Sequence, residues 1–154
     1  MIICGENMDF INEAVNEAYL AFDMDEVPVG AVIVKDNKII SKAHNIKESS
    51  KDVTCHAEIL AIRKASRIIG NWRLDGCSMY VTLEPCPMCA GAIVQSRIKH
   101  LYIGTFNPTC GACGSIINIV QNRRLNTFIH VNWIYDEDCS SILEKFFKIR
   151  RLNS

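Results

Sequence analysis

A pair of cysteines within residues 82–89 has the clearest chemical meaning in this sequence. Cys86 and Cys89 stand three residues apart, where a predicted strand meets the start of a predicted helix. Residues three apart on a helix share a face, and Pro87 suits the first helical position because it has no N–H to leave unpaired. Two thiolates on one helical face are half of a zinc site. The second half must therefore come from elsewhere in the chain.

His56 and Glu58 supply that second half. They open another predicted helix, for which Thr54 is the expected N-cap and Gly70 the expected end. The stretch between His56 and Cys86 is long enough for one helix and one strand, so both half-sites fall at helix N-termini. Those ends carry partial positive charge, which favours thiolates. We therefore predict that His56 and the two cysteines bind one Zn²⁺ per chain.

Three protein ligands leave the fourth position of a tetrahedral zinc site free, which is typical of catalytic sites. Zinc lowers the pKa of a water held at that position, and Glu58 is placed to carry its proton to a leaving group. The combination predicts hydrolytic attack on an amine-bearing ring carbon, as in the zinc nucleobase deaminases. A zinc-stabilised binding module without activity is an alternative, but such a site closes with four ligands and needs no general base.

The other cysteines have more ordinary interpretations. Cys110 and Cys113 form a second C-x-x-C, which would suit a redox pair or half of another metal site. No histidine stands at a typical spacing from them, so we favour two small side chains packed in a tight loop. The same packing role is expected for Cys4, Cys55, Cys77 and Cys139.

Length and composition predict a single domain comprising residues 1–154. Apolar residues make up 49% and charged residues 22% of the chain, which is ordinary for a globular protein. No apolar run approaches the about 20 residues that cross a membrane, and the N-terminus lacks the pattern of a signal peptide. The eight cysteines show no disulfide-framework spacing. We therefore expect a cytoplasmic protein without a membrane segment.

Charge is balanced overall but unevenly distributed. The formal net charge is zero, so bulk charge does not argue for a nucleic-acid partner. The first 34 residues contain seven acidic side chains and no Lys or Arg, whereas the last ten contain four cations and no acid. That C-terminal cluster either forms a basic patch or complements the dipole at the end of a helix.

Strands and helices alternate along the chain, which predicts an α/β layered domain with a partly parallel sheet. Helical spacing of apolar residues predicts amphipathic helices from Asn7 or Asp9 to Phe22 and over residues 138–151. The nearly all-apolar residues 27–34 predict a strand buried on both faces. The other predicted elements are helices over 55–69, 86–97 and 115–121, strands over 39–45, 78–83, 99–104 and 127–131, and loops over 46–53 and 105–114.

The motifs around these residues closely resemble those of bacterial tRNA-specific adenosine deaminases. The similar segments are residues 27–31, 44–45, 56–58, 81–92, 111–115 and 146–151. The resemblance implies a cytidine deaminase-like fold, a three-layer α/β/α arrangement with a five-stranded mixed sheet. It also implies a homodimer that binds the tRNA anticodon stem-loop through both subunits and deaminates the wobble adenosine of an arginine tRNA to inosine.

The resemblance assigns roles to individual residues. His56, Cys86 and Cys89 match zinc ligands, and Glu58 matches the residue that transfers protons. Asn45 matches an asparagine that hydrogen-bonds the base, since an amide both donates and accepts. The other residues implied to contact the substrate are Val29, in the base pocket, and Phe146, Phe147, Arg150 and Arg151, on the helix over 138–151.

One position departs from the family's pattern. Asn107 stands where the family usually has an aspartate close to a ribose beside the target, so substrate discrimination is the property expected to differ. A deaminase of a free nucleobase or nucleoside, such as guanine or cytosine, would share the zinc site and is the alternative activity. Such an enzyme has no use for the aromatic and basic residues of the C-terminal helix.

Overall fold

The computed structural model describes residues 5–154, with side chains from residue 9 onward. These residues form a five-stranded mixed sheet in the spatial order β2-β1-β3-β4-β5. The strands are β1 (Gly30–Lys35), β2 (Lys38–His44), β3 (Cys77–Leu83), β4 (His100–Thr105) and β5 (His130–Trp133). β1 is antiparallel to both of its neighbours, whereas β3, β4 and β5 are parallel. The predicted partly parallel sheet is confirmed.

Helices cover both faces of this sheet. Among the described residues they are α1 (Gly5–Asp23), α2 (Lys47–Ser50), α3 (Ala57–Ile69), α4 (Pro87–Gln95) and α5 (Glu137–Leu152), with a 3-10 turn at Arg123–Leu125. α3 and α4 pack on one face, and α1 and α5 pack on the other. No helix in residues 5–154 combines the length and apolar character needed to cross a membrane.

Alternating side chains of β1 divide the core into two parts. Ala31 and Ile33 belong to the larger cluster beneath α3 and α4, whereas Val32 and Val34 belong to the cluster beneath α1 and α5. Successive side chains of a strand point to opposite faces, so a strand covered on both sides must be apolar throughout. The predicted burial on both faces is confirmed, and the strand itself begins at Gly30.

Gly30 allows α1 to approach the sheet closely. A Cβ on this residue would lie 2.7 Å from the backbone nitrogen of Ala18 and closer still to the carbonyl oxygen of Ala14, so a larger residue would displace the helix. The Gly30 N–H also donates to Oγ1 of Thr82 at 3.1 Å. β1 therefore starts directly beside the segment that carries the two cysteines.

Contacts with α1 and the turn after it fix the orientation of α5. Phe146 is 3% exposed, and its ring packs edge-on against Phe22 with the centroids 6.1 Å apart. The Arg150 guanidinium lies 4.8 Å from the centroid of Phe146, and its Nη2 donates to the carbonyl oxygen of Asp25 at 2.9 Å. These contacts determine which side of α5 faces outward.

The predicted helix over residues 115–121 is wrong. The segment folds back as a loop in which the Ile116 N–H donates to the carbonyl oxygen of Gly111 at 3.0 Å. The Ser115 N–H donates to the buried Glu84 carboxylate at 3.1 Å. Bonds to a residue distant in sequence thus override local helix propensity.

The predicted loop over residues 46–53 contains a short helix, α2. The buried Glu26 carboxylate accepts hydrogen bonds from the N–H groups of Glu48 at 3.0 Å and Ser49 at 2.6 Å, which satisfies donors at the start of α2. Burial raises the pKa of Glu26, but these bonds outweigh that effect and hold the pKa below its usual value. The helix depends on a partner that local sequence does not reveal.

The start of one helix, α3, and the start of one strand, β5, also differ from the prediction. Thr54 does not cap α3, because its N–H and hydroxyl both donate to Oδ1 of Asp52, at 2.8 and 2.7 Å. His56 takes the N-cap position instead, while the predicted end at Gly70 is confirmed by its left-handed φ of 75°. β5 begins at His130 rather than at residue 127.

Candidate active site

His56 and Cys86 occupy the N-cap positions of α3 and α4. An N-cap side chain usually accepts a hydrogen bond from the first turn of its helix, but neither of these does. Their side chains meet instead in the gap between the two helix N-termini, where Cys89 joins them. Both half-sites thus lie at helix starts, at the positions where the sequence predicts them.

The spacing of the three side chains fits a single metal ion. Nδ1 of His56 lies 3.6 Å from Sγ of Cys86 and 3.5 Å from Sγ of Cys89. In a tetrahedral zinc site with Zn–S of about 2.3 Å and Zn–N of about 2.0–2.1 Å, nitrogen and sulfur ligands stand about 3.6 Å apart. Among the side chains that the structure describes, from residue 9 onward, no other group of His, Cys, Asp or Glu is clustered in this way.

Hydrogen bonds among the three donors shift their affinities for protons. The bond with Cys89 lowers the pKa of Cys86, and the bond with His56 lowers it further. The bond with Cys86 in turn raises the pKa of His56. The hydrogen bond with Cys86 and burial both raise the pKa of Cys89. Cys86 is therefore the first of the two thiols to ionise, which suits a metal ligand that must bind as thiolate.

Glu58 lies in the first turn of α3 and is 4% exposed. Burial raises the pKa of its carboxyl above the usual value, and a hydrogen bond with Cys89 offsets part of that rise. A carboxyl with a raised pKa is a better proton carrier near neutral pH than an ordinary glutamate. Glu58 lines the same pocket as His56 and Cys86 but is outside the cluster of ligand atoms.

A pocket of about 180 Å³ opens beside this cluster. His56, Glu58 and Cys86 all line it, so two members of the possible metal-binding cluster and the carboxyl face one space. The remaining lining residues are Val27, Val29, Asn45, Lys47, Glu48, Ala57, Leu83, Glu84, Asn107 and Cys110.

Asn45 is held in place by its neighbours before any ligand binds. Its Nδ2 donates to the carbonyl oxygen of Val27 at 3.2 Å, and its Oδ1 accepts from the N–H of Lys47 at 3.1 Å. A side-chain amide has two donor hydrogens and two acceptor lone pairs, so each end keeps capacity for a ligand. Val29, which is also buried, lines the same pocket.

Asn107 and Cys110 bring the loop after β4 into the pocket wall. Oδ1 of Asn107 accepts three hydrogen bonds, from the N–H and hydroxyl of Thr109 at 3.2 and 2.9 Å and from the N–H of Cys110 at 3.2 Å. Its Nδ2 lies 3.2 Å from Sγ of Cys110. The Asn107 side chain therefore caps its own loop, as Asn and Asp side chains often do in turns.

A larger groove of about 970 Å³ adjoins the pocket and shares Val27, Leu83 and Asn107 with it. One wall consists of residues 106–109, and the other is formed by α5. The residues of α5 in this wall are Ser141, Leu143, Glu144, Lys145, Phe147, Lys148 and Arg151. The groove therefore combines aromatic surface on both walls with more cationic than acidic side chains.

Only part of the predicted substrate-contacting set on α5 lies in this groove. Phe147 and Arg151 line it, and Phe147 is 44% exposed. Phe146 packs inward against α1, whereas Arg150 is 45% exposed and donates to the turn that follows α1. A ring that is buried in this way presents no face for base stacking. Contact of Phe146 and Arg150 with a substrate stays a prediction, and their observed contacts hold α5 in place.

Sequence reasoning missed Glu84 as part of the site. This residue is 1% exposed and lines the pocket. A sequence signal was available, because an acidic residue follows an apolar strand directly before the Pro-Cys motif, and acids are rarely buried without partners. Lys47, Glu48 and Phe106 were missed as well, and no local pattern marks them as lining residues.

The second C-x-x-C is a pair of loop side chains rather than a metal half-site within the described chain. Burial raises the pKa of Cys113, whereas Cys110 is exposed at the pocket. The other described cysteines outside the metal cluster are buried and free, as predicted: Cys55, Cys77 and Cys139. Cys4 lies outside the described residues.

Comparison with known proteins gives this site a family context. Residues 6–151 match the family of MafB19-like deaminases. The tRNA-specific adenosine deaminase of Aquifex aeolicus (strain VF5) is 47% identical to this chain over 146 residues. That match covers 94% of this chain and 95% of the relative, so the two proteins correspond over nearly their whole lengths.

Solved structures of deaminases share the fold. One, from a study of A-to-I editing by tRNA:A34 deaminases at the wobble position of transfer RNA, has a TM-score of 0.85 and 39% identity, covering 88% of this chain and 99% of that chain. The guanine deaminase of Bacillus subtilis has a TM-score of 0.62 and 34% identity, covering 75% of this chain and 84% of that chain. These matches confirm the cytidine deaminase-like fold. The chain belongs to the MafB19-like deaminase family and, within it, to the tRNA-specific adenosine deaminases.

Proposed function

We propose that this chain is a zinc-dependent hydrolase that converts the adenosine at the wobble position of a tRNA anticodon to inosine, with an arginine tRNA as the expected substrate. The observation that carries the proposal is the continuity of the metal-ligand cluster, the pocket and the groove. The small pocket suits one base taken out of its stack, and the open groove suits the nucleotides beside it.

Zinc is the metal proposed for the cluster, with one ion per chain. One imidazole and two thiolate donors suit zinc, and three protein ligands leave one tetrahedral position free. When bound, zinc supplies an activated water for attack on the ring carbon that bears the amine, the chemistry of the zinc nucleobase deaminases. His56, Cys86 and Cys89 hold the ion beside the base pocket.

Glu58 is the proposed proton carrier. Its carboxyl lies in the pocket beside the ligand cluster, and burial raises its pKa above the usual value of a glutamate. Glu58 takes the two protons of the attacking water one at a time and delivers them to the base and its amine, which leaves as ammonia. The water oxygen stays on the base, which gives inosine, and the carboxylate returns to its starting state.

Asn45 and Val29 are proposed to receive the base, and the groove to receive its neighbours. The remaining donor and acceptor of the Asn45 amide match the polar edge of a purine. Phe147 and Arg151 on one wall and Phe106 on the other are residue types that stack on splayed RNA bases. Flanking nucleotides therefore contribute binding energy that a free nucleoside lacks.

The proposal further includes that the enzyme is a homodimer and works in the cytoplasm. This part of the proposal rests on the family resemblance. Ile116 and Ile117 are both exposed, in the loop that follows the pocket wall. Exposed apolar side chains next to each other are typical of surfaces that a partner covers.

The direct test is incubation of the protein with an arginine anticodon stem-loop that carries adenosine at the wobble position. Sequencing of the product should show inosine there, and a stem-loop with guanosine at that position serves as the control. Free adenosine, guanine and cytosine are assayed at equal concentration. Guanine turnover equal to that of the stem-loop would favour a nucleobase deaminase, the second candidate because of the similarity to the guanine deaminase of Bacillus subtilis.

Two adjacent phenylalanines offer a matched pair for testing the groove. Phe147→Ala should raise KM for the stem-loop by about 5- to 150-fold, since stacking of a base on an aromatic ring is worth about 1–3 kcal/mol. Phe146→Ala should instead reduce the free energy of unfolding by about 3–5 kcal/mol, because its ring is buried. Steady-state kinetics and urea unfolding measure the two effects. An unchanged KM in Phe147→Ala would contradict the assignment of the groove.

Asn107→Asp should increase the discrimination between ribose and deoxyribose near the target. An ionised aspartate only accepts hydrogen bonds and so favours a 2′-OH donor, whereas asparagine also donates and repels phosphate less. The measurement is the ratio of kcat/KM for an all-ribose stem-loop and for one with deoxyribose at the target and its 5′ neighbour. An equal ratio in both proteins would leave Asn107 with its observed role of capping the loop.

A further inference from the structure

Glu84 is a buried carboxylate that the proposed chemistry does not use. It follows the last residue of β3 and precedes the metal ligand Cys86 by two positions. Its backbone N–H donates to the carbonyl oxygen of Thr105, which ties it to the end of β4. A buried carboxylate is costly unless its oxygens are hydrogen-bonded, so its partners indicate its purpose.

The Glu84 carboxylate receives four hydrogen bonds from one loop. Oε1 accepts from the N–H of Asn107 at 3.0 Å, and Oε2 accepts from the N–H groups of Cys113 at 2.9 Å and Ser115 at 3.1 Å. The Ser115 hydroxyl also donates to Oε1. An ionised carboxylate has only acceptors, so four converging donors match its charged form.

Gly111 shows how closely this loop encloses the carboxylate. A Cβ on Gly111 would lie 2.5 Å from the carboxyl carbon and from both oxygens of Glu84. Because four hydrogen bonds hold the carboxylate, it has no freedom to move aside. The Gly111 N–H also donates to the carbonyl oxygen of Asn107 at 3.0 Å. The loop is thus wrapped around one charged group.

We propose that Glu84 is a positioning residue that holds the substrate-facing wall of the site. The wall is residues 106–110, of which Asn107 and Cys110 line the pocket while residues 106–109 line the groove. Glu84 connects this wall to the strand end that leads into the metal-binding segment. The inference rests on the proposed function, since it assigns the wall to substrate binding. Loss of the Glu84 contacts frees the wall but leaves the metal ligands in place.

Glu84→Gln is the first test, because glutamine keeps the shape but turns an NH₂ group toward N–H donors. We expect KM for the stem-loop to rise at least about tenfold, in line with the loss of hydrogen bonds to a charged group. The kcat value should change less than KM, and the zinc content should stay at the wild-type level. Hydrogen exchange of the amides over residues 107–115 should accelerate, while that of β3 should not.

Two further variants approach the same contact differently. Gly111→Ala leaves the carboxylate unchanged but intrudes on its space, so it should raise KM and accelerate exchange over the same residues. Ser115→Ala removes only one donor and should give a smaller shift in the same direction, which keeps the test available if Glu84→Gln does not fold. Ser41→Ala is the control serine, since the Ser41 hydroxyl, on the distant β2, donates to a backbone carbonyl oxygen, that of Ala61, at 2.9 Å. It should leave KM unchanged.

The outcomes separate this inference from the proposed function. A wild-type protein that does not convert the stem-loop rejects the proposed function, and the inference with it. An active wild type with unchanged KM and unchanged loop exchange in Glu84→Gln and Ser115→Ala overturns the inference alone. A fall in kcat without a rise in KM overturns it as well, because Glu84 would then act in the chemical step. Loss of zinc would likewise overturn it and assign Glu84 to support of the metal ligands.

Discussion

Replacing Glu58 with glutamine should reduce kcat on the stem-loop by about 10²–10⁴-fold, the usual contribution of general acid–base catalysis. Glutamine has nearly the shape of glutamate but cannot accept and release a proton near neutral pH. Zinc content should be unchanged, because Glu58 is outside the cluster of ligand atoms. Stability should be equal or higher, because burial already disfavours the charged carboxylate and raises its pKa.

Single-turnover kinetics and elemental analysis measure these two properties of the Glu58 variant. Glu13→Gln is the control for removing a carboxylate, since Glu13 lies on the exposed side of α1 in an ion pair with Lys42. Surface ion pairs contribute little, so that variant should behave as wild type. Turnover of Glu58→Gln within tenfold of wild type would exclude Glu58 as the proton carrier.

Cys86→Ser should lose the metal and stability together. A hydroxyl is a far weaker ligand for zinc than a thiolate, and only the folded chain brings the three donors within reach of one ion. A ligand present at about 100 times its Kd stabilises the folded state by about 2.7 kcal/mol, so its loss should cost at least about that much. Activity on the stem-loop should fall with the metal.

Elemental analysis and urea unfolding check the Cys86 prediction. Cys110→Ser is the matched cysteine control, because Cys110 lines the pocket but does not belong to the ligand cluster. It should keep one zinc per chain. Full zinc occupancy in Cys86→Ser would remove Cys86 from the set of ligands, whatever the effect on activity.

The metal half-sites could be predicted from sequence because each depends on a short segment. The spacing of Cys86 and Cys89 places both at the start of a helix that begins at Pro87, and the structure has that helix at Pro87–Gln95 with Cys86 as its N-cap. His56 likewise stands at the start of α3. Local geometry decides these positions, and the strand between the two helices brings them together.

Residues 46–53 and 115–121, the two segments whose secondary structure was predicted wrongly, differ from the prediction for the same physical reason. α2 is held by the carboxylate of Glu26, 22 residues from Glu48, and the loop after β4 is held by Glu84, 31 residues from Ser115. In both cases a buried charge supplies hydrogen bonds that local propensity does not contain. A single sequence shows the acids but not which backbone they meet.

The sequence by itself predicted the family, the cluster of His56, Cys86 and Cys89 and the layered α/β order, since these follow from motifs and short-range periodicity. Tertiary structure alone decided which of two adjacent aromatic residues faces the groove. Packing against Phe22 turns Phe146 inward, and because successive helical residues point in different directions, Phe147 is left on the groove side. It also decided that Asn107 caps a loop wrapped around Glu84, because the donors and the carboxylate meet only after β3 and β4 have paired.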